Sequence, residues 1–302
     1  MTIAAFVLIF LSAGMHASWN MIAKKSHMNL AFYSMLDVVA VLIGAWIWFR
    51  LPLSISALKP GFYVAVAGSA LGEVVYCIGL IMAYRRMDMS AAYPMMRSLP
   101  LLFTAFVTSV FDVGKSLSCL ALIGMATVFA GCVVMPLNKF SDFRLSNYLD
   151  RKIAFVLMAA VGTTAYTIFD SEAQRVMIKC APKVSSTMIS LTYYELRHIA
   201  VLIPVGALAL ALPSGRSDMR ALFKSGIGPA VLAGVLSSVT YILVLMAMPL
   251  VDNVSYVQAF RQLGLVIGML EGILILKERC TLTRVVGIVL IVSGLVMTVI
   301  KI

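Results

Sequence analysis

Ten stretches of about 20 predominantly apolar residues follow one another along the chain, and they constrain the fold more than any motif does. They lie near 2–23, 30–50, 61–84, 90–111, 116–137, 152–173, 185–211, 226–249, 254–276 and 281–300. Each is long enough to cross about 30 Å of hydrocarbon as a helix, and the gaps between them are short. With 62% hydrophobic and 12% charged residues over 302 positions, too little polar surface remains for a water-soluble globule. The expectation is an all-α, polytopic, multi-pass protein of the cell (inner) membrane, with lipid as a partner. Residues 13–18 (AGMHAS) read as the interior of a first span rather than a cleavage site, because Met1 to Ala5 carries no basic residue.

The chain also repeats itself. Asp88, Ser90, Tyr93, Arg97 and Leu99 are echoed by Asp252, Ser255, Tyr256, Arg261 and Leu263, each Arg standing nine residues after its Asp. Gly124 and Gly131 are echoed by Gly287 and Gly294, both pairs seven residues apart and on one helix face. The longest polar stretch, 138–151, falls between the copies. We therefore read a first five-helix repeat over 1–137, a linker over 138–151 and a second five-helix repeat over 152–302. Five is odd, so the second copy enters the membrane from the opposite side, which gives the inverted repeats common among alternating-access carriers.

Polar groups inside spans cost about 2.5–3.5 kcal/mol each for Arg or Asp on insertion scales, so they are expected to face an internal cavity. The candidate substrate-binding residues are Trp19, Asn20, Tyr33, Glu73, Tyr76, Arg97, Tyr166, Asp170, Tyr194, Glu195, Tyr241, Gln258 and Arg261, with His16 and Arg197 beside them. Glu73 and Asp37 are the candidate coupling acids, with the proton as the ion they would carry. Counted along the hairpin of the third and fourth spans, Glu73 and Arg97 stand within about 6 Å in height, which puts an ion pair within side-chain reach if both face inward. Arg261 has no acid at the matching level, so its guanidinium is either paired across the halves or free for a carboxylate or phosphate. Each of these has a plainer reading: the arginines can cap helix ends or snorkel, His16 can be a bonded core residue, and the tyrosines can be packing. Pro94 and Pro100 predict a kink in the fourth span.

Other functions lack their residues. His16, His27 and His198 are too scattered for a metal site or a triad, and no diphosphate, GxSxG or HExxH signature occurs, so no enzyme, cofactor or metal is expected. Cys77, Cys119, Cys132, Cys180 and Cys280 form no CxxC pair and predict no disulfide framework. The net charge of +11 sits in loops rather than on a soluble domain, which argues against nucleic acid. Fourteen Lys and Arg follow the odd-numbered spans against seven on the other side, and by the positive-inside rule both termini are then outside.

Three segments resemble the EamA branch of the drug/metabolite transporter superfamily: residues 16–20 (HASWN), residues 83–90 (AYRRMDMS) running into Tyr93, Pro94 and Arg97, and residues 276–279 (LKER) before Gly287. The loop 111–115 (FDVGK) departs from the acid-plus-base pattern that 277–279 keeps. The resemblance covers nearly the whole chain and implies ten helices, a central cavity, cytoplasmic termini, and export or exchange of a small metabolite such as an amino acid. A multidrug or lipophilic-cation exporter and a lipid-linked sugar flippase are the alternatives, and the chain fits either a monomer or a homodimer.

Overall fold

The computed structural model describes residues 2–26, 28–51, 54–87, 89–143, 151–274 and 280–300. Twelve α-helices and short 3-10 turns account for most of them, and no strand occurs among the described residues. The helices are α1 (Ile3–Lys25), α2 (Leu30–Gly44), α3 (Pro60–Arg86), α4 (Met89–Val110), α5 (Cys119–Val134) and α6 (Ile153–Cys180). There follow α7 (Ser186–Ala211), α8 (Pro213–Ser225), α9 (Gly228–Ala247), α10 (Ser255–Phe260), α11 (Leu263–Leu274) and α12 (Leu282–Val299). Among the described residues seven helices are long and apolar enough to cross a membrane, and Met95–Val110 and Cys119–Val134 form shorter apolar helices.

Local chemistry sets the starts. Asn29 accepts from the backbone N–H of Phe32, Ser118 from Ala121 and Ser185 from Met188, each side chain satisfying an orphan donor of a first turn and contributing about 1 kcal/mol. Pro60 and Pro213 occupy first-turn positions, where a missing N–H costs nothing.

Two details differ from the expected spans. Residues 213–225, expected as loop, form the amphipathic helix α8, and Arg216 ties it to α7 by donating to the carbonyls of Leu210 and Ala211 at 2.9 and 3.0 Å. The region expected as one helix over 254–276 is broken between α10 and α11. There the backbone tightens to i→i+3 bonds, Gln262 to Ala259, Gly264 to Arg261 and Leu265 to Gln262. A side chain from another helix bonds a carbonyl at this break, as described below. By contrast α4 runs as one helical assignment through Pro94 and Pro100.

The polarity of the bundle is that of a lipid-embedded protein. Leu42, Leu71, Phe106 and Ile203 are each at least 66% exposed while Arg197 is 2% exposed, so charge lies inside and hydrocarbon outside. The most extensive helix contacts are α3 on α6, α5 on α12, α1 on α9 and α2 on α7. Glycines set the closest approaches. A Cβ on Gly124 or on Gly294 would stand 2.6 Å from the other's carbonyl oxygen, and one on Gly131 would stand 2.7 Å from that of Gly287. Gly72 and Gly162 likewise bring the backbones of α3 and α6 into contact.

Two apolar clusters fill the interior. One gathers Ile9, Phe62, Leu101, Met125, Met177 and Leu245; the other gathers Trp19, Leu80, Met96, Val156 and Val201. Along α1, Ile9 belongs to the first and Trp19 to the second, and His16 lies between them in sequence.

Candidate functional site

Seven helices, α1, α2, α3, α4, α6, α7 and α9, together with Arg261 at the end of α10, deliver ionisable or aromatic side chains to one buried polar layer. Glu73 of α3 and Asp170 of α6 converge on Arg197 of α7. Nη2 of Arg197 lies 2.5 Å from Oε2 of Glu73, and its Nε lies 3.5 Å from Oδ1 of Asp170. Tyr33 donates to the other oxygen of Glu73. Asp170 accepts from Ser69 at 2.5 Å, from Tyr193 at 2.6 Å and from Tyr241. The Arg197 guanidinium also stacks 4.4 Å from the ring centre of Tyr241 and 5.4 Å from that of Tyr166. Both carboxylates thus have a cation beside them, although Nε of Arg197 makes no hydrogen bond among the described residues.

The expected Glu73–Arg97 pair is therefore corrected, because Glu73 binds Arg197 instead. The height estimate fixed the level but not the azimuth, and successive residues turn by about 100° around a helix. The α3 face carrying Gly72 and Gly79 meets α6, and Glu73, the next residue, reaches α7.

Arg97 of α4 faces another way. Its Nη2 donates to the Arg261 carbonyl at 3.0 Å, at the break between α10 and α11, and its Nη1 lies 2.6 Å from Nε2 of His16. Trp19 donates to Nδ1 of that imidazole at 3.1 Å. Gln262 returns a bond from its amide to the Arg97 carbonyl at 2.8 Å, so α4 and the broken helix are laced in both directions. Among the described residues no carboxylate lies within ion-pair distance of Arg97 or Arg261. Nε of Arg97 and Nη1 of Arg261 are buried without a hydrogen-bond partner, although Arg261 is only 6% exposed.

Two adjoining chambers open beside these groups. Their volumes, about 50 and 30 Å³, hold a few waters at about 10–15 Å³ each. His16, Tyr76, Tyr166 and Arg261 are common to both walls. The first chamber adds Trp19, Tyr33, Asp37, Glu73, Arg197, His198 and Tyr241; the second adds Asn20, Arg97, Gln258 and Gln262. Tyr166 bridges Tyr76 and Tyr241 through edge-on contacts at 5.8 and 6.2 Å.

Three of the sequence candidates lie off the chambers. Asp170 sits one layer back and acts on the wall through Tyr241 and Arg197. Tyr194 turns its hydroxyl to the Ala40 carbonyl at 3.4 Å. Glu195 accepts from the Trp48 indole at 2.9 Å, against the end of α2. Residues are spaced by about 100° on α7, so Glu195 and Arg197 cannot share a face. His198, Ser237, Ser238, Thr240, Thr163 and Gln262 line the chambers without having been singled out. His198 carried a signal, as the one histidine inside a span whose other charged residues were read. Asp88 and the 277–279 segment lie outside the described residues, as do the side chains of Ser90, Tyr93, Pro94 and Glu271.

One end of the bundle is bolted. Lys115, in the loop after α4, pairs with Asp252 at 2.7 Å, and the Asn253 side chain donates to the carbonyls of Val113 and Lys115. Thr108 and Ser255 share a hydrogen bond at 2.9 Å just inside. The carboxylate of Asp252 raises the Lys115 pKa above the ordinary lysine value by hydrogen bonding and charge.

Comparison with known proteins gives a fold. No family model matches the chain, and no curated protein does. A solved crystal structure, described only as that of a protein, superposes with a TM-score of 0.62 over 98% of this chain and 97% of its own, at 16% identity. At that identity the likeness establishes a shared fold across the whole chain and nothing of its activity.

Proposed function

We propose that the protein is a secondary carrier that moves a small carboxylate-bearing metabolite, an amino acid or a relative of one, by alternating access between two inverted five-helix repeats. The observation that carries it is the pair Arg97 and Arg261, two guanidiniums beside a shared cavity with unused donors and, among the described residues, no carboxylate partner. In a low-dielectric interior a guanidinium without a direct carboxylate partner is costly, and a planar carboxylate supplies the missing acceptors in the matching geometry. The sequence resemblance to EamA-type transporters points the same way.

Helix packing supports the repeat. Exchanging α1, α2, α3 and α5 with α6, α7, α9 and α12 turns the α3–α6 contact into α9–α1, and leaves α2–α7 and α5–α12 unchanged. The glycine crossing of α5 and α12 has the same property, since swapping 124 with 287 and 131 with 294 returns the same two contacts. Adding α4 opposite α10 and α11 turns the α4–α6 contact into α11–α1 and sets Arg97 opposite Arg261. Chambers that hold only a few waters correspond to a closed form, and admitting a metabolite requires the helices to part.

Counterflow in proteoliposomes, with a panel of amino acids and hydroxy acids, tests the proposal. Exchange of at least one carboxylate is expected, and Arg97→Ala or Arg261→Ala should reduce it at least tenfold, the effect of losing about 1.4 kcal/mol of recognition. Flux unchanged in both variants would remove the carboxylate from the reading.

A further inference from the structure

The first chamber contains a pair that carboxylate recognition leaves unused. Asp37 on α2 and His198 on α7 are 3% and 8% exposed and both line the wall, with Oδ1 and Nδ1 3.0 Å apart. Their remaining polar atoms, Oδ2 of Asp37 and Nε2 of His198, are buried and have no hydrogen-bond partner among the described residues. Elsewhere in this layer the acids are saturated, Glu73 by Tyr33 and Arg197, and Asp170 by Ser69, Tyr193 and Tyr241. Asp37 is the exception.

The groups that face this pair come from five helices. From α7 come Arg197 and Tyr194, from α3 Glu73 and Cys77, from α6 Asp170 and from α9 Tyr241, while Tyr33 shares α2. α8, also packed on α2, holds Arg216, Asp218, Arg220 and Lys224, of which only Asp218 is even partly buried. Around the chambers the carboxylates of Asp37, Glu73 and Asp170 are matched by the guanidiniums of Arg97, Arg197 and Arg261. An arriving carboxylate upsets that equality by one negative charge, in surroundings where uncompensated charge is expensive.

We propose that the Asp37–His198 pair is a proton-binding site loaded together with the carboxylate of the substrate. This rests on the reading of Arg97 and Arg261 as the carboxylate site. One proton adds to the pair, held between Asp37 and His198, and the carboxylate docks at the arginines without covalent change, so the interior returns to its empty-state charge. A carrier built this way moves a monocarboxylate and a proton in the same direction. A zwitterion brings its own ammonium charge and needs no proton.

Formate, the smallest carboxylate, serves as the probe for the purified full chain in detergent, with binding followed by calorimetry in two buffers of different ionisation enthalpy. Binding is expected to take up about one proton, and its affinity to fall about tenfold per pH unit once the pair is deprotonated. Asp37→Asn should bind formate with no uptake, and Asp37→Glu should restore it. Formate bound by the native chain without proton uptake, or uptake that persists in Asp37→Asn, overturns the proposal. A second readout is independent of formate: an infrared pH titration in which a carboxylic C=O band or an imidazolium ring band appears on acidification and is absent from Asp37→Asn. If formate fails to bind, the carboxylate reading fails, and the infrared band alone decides whether the pair exchanges a proton; its absence rejects the site.

Discussion

Arg197 is the side chain on which the polar layer depends most. It is 2% exposed and answers two carboxylates and two aromatic faces at once. Removing it leaves Glu73 and Asp170 buried without their cation. Arg197→Ala is expected to lose about 3–5 kcal/mol of stability, seen as early unfolding in detergent, whereas Arg261→Ala, with no acid partner to strand, should unfold close to the native protein. That contrast separates a structural arginine from one kept for a ligand. Equal losses in the two variants would place Arg261 with the structural group. Sequence alone singled out Arg97 and Arg261 from their repetition and charge, and Glu73 from its depth. It did not reveal that Arg197 is the partner of Glu73, because the partner is chosen by helix azimuth, which depends on packing between α3, α6 and α7.

At the scale of elements, close packing rests on glycines, and α5 against α12 is the clearest case. A side chain at 131 meets the backbone of α12 on arrival, so Gly131→Val is expected to cost about 1–3 kcal/mol through overpacking, measured as a lowered Tm. Gly14, with open space around its Cβ direction, should accept Ala with little change. The seven-residue spacing of Gly124 and Gly131 was legible because helical period maps directly to a face. The break between α10 and α11 was not legible, since no Pro marks it. It occurs where Arg97 from α4 takes the Arg261 carbonyl, a tertiary contact with no local trace. The helix α8 was missed for a related reason: its thirteen residues are too polar for a span, and at an interface they fold by amphipathicity and the Arg216 tie to α7.

For the whole molecule, lipid embedding was written in composition, and the structure bears it out in an exposed apolar exterior around buried charge. The proposed carrier adds that the two chambers communicate with opposite sides of the membrane in turn, and that the bolt of Lys115, Asp252 and Asn253 holds one end shut in this form. The most direct test is side-specific labelling in sealed vesicles of a variant with its five native cysteines removed and Thr163→Cys in the second chamber's wall. An impermeant thiol reagent is expected to reach position 163 from either side. A cross-link between cysteines placed at 115 and 252 before labelling should abolish access from the bolted end alone. Access from one side only in the uncross-linked protein, or access that ignores the cross-link, would contradict alternating access.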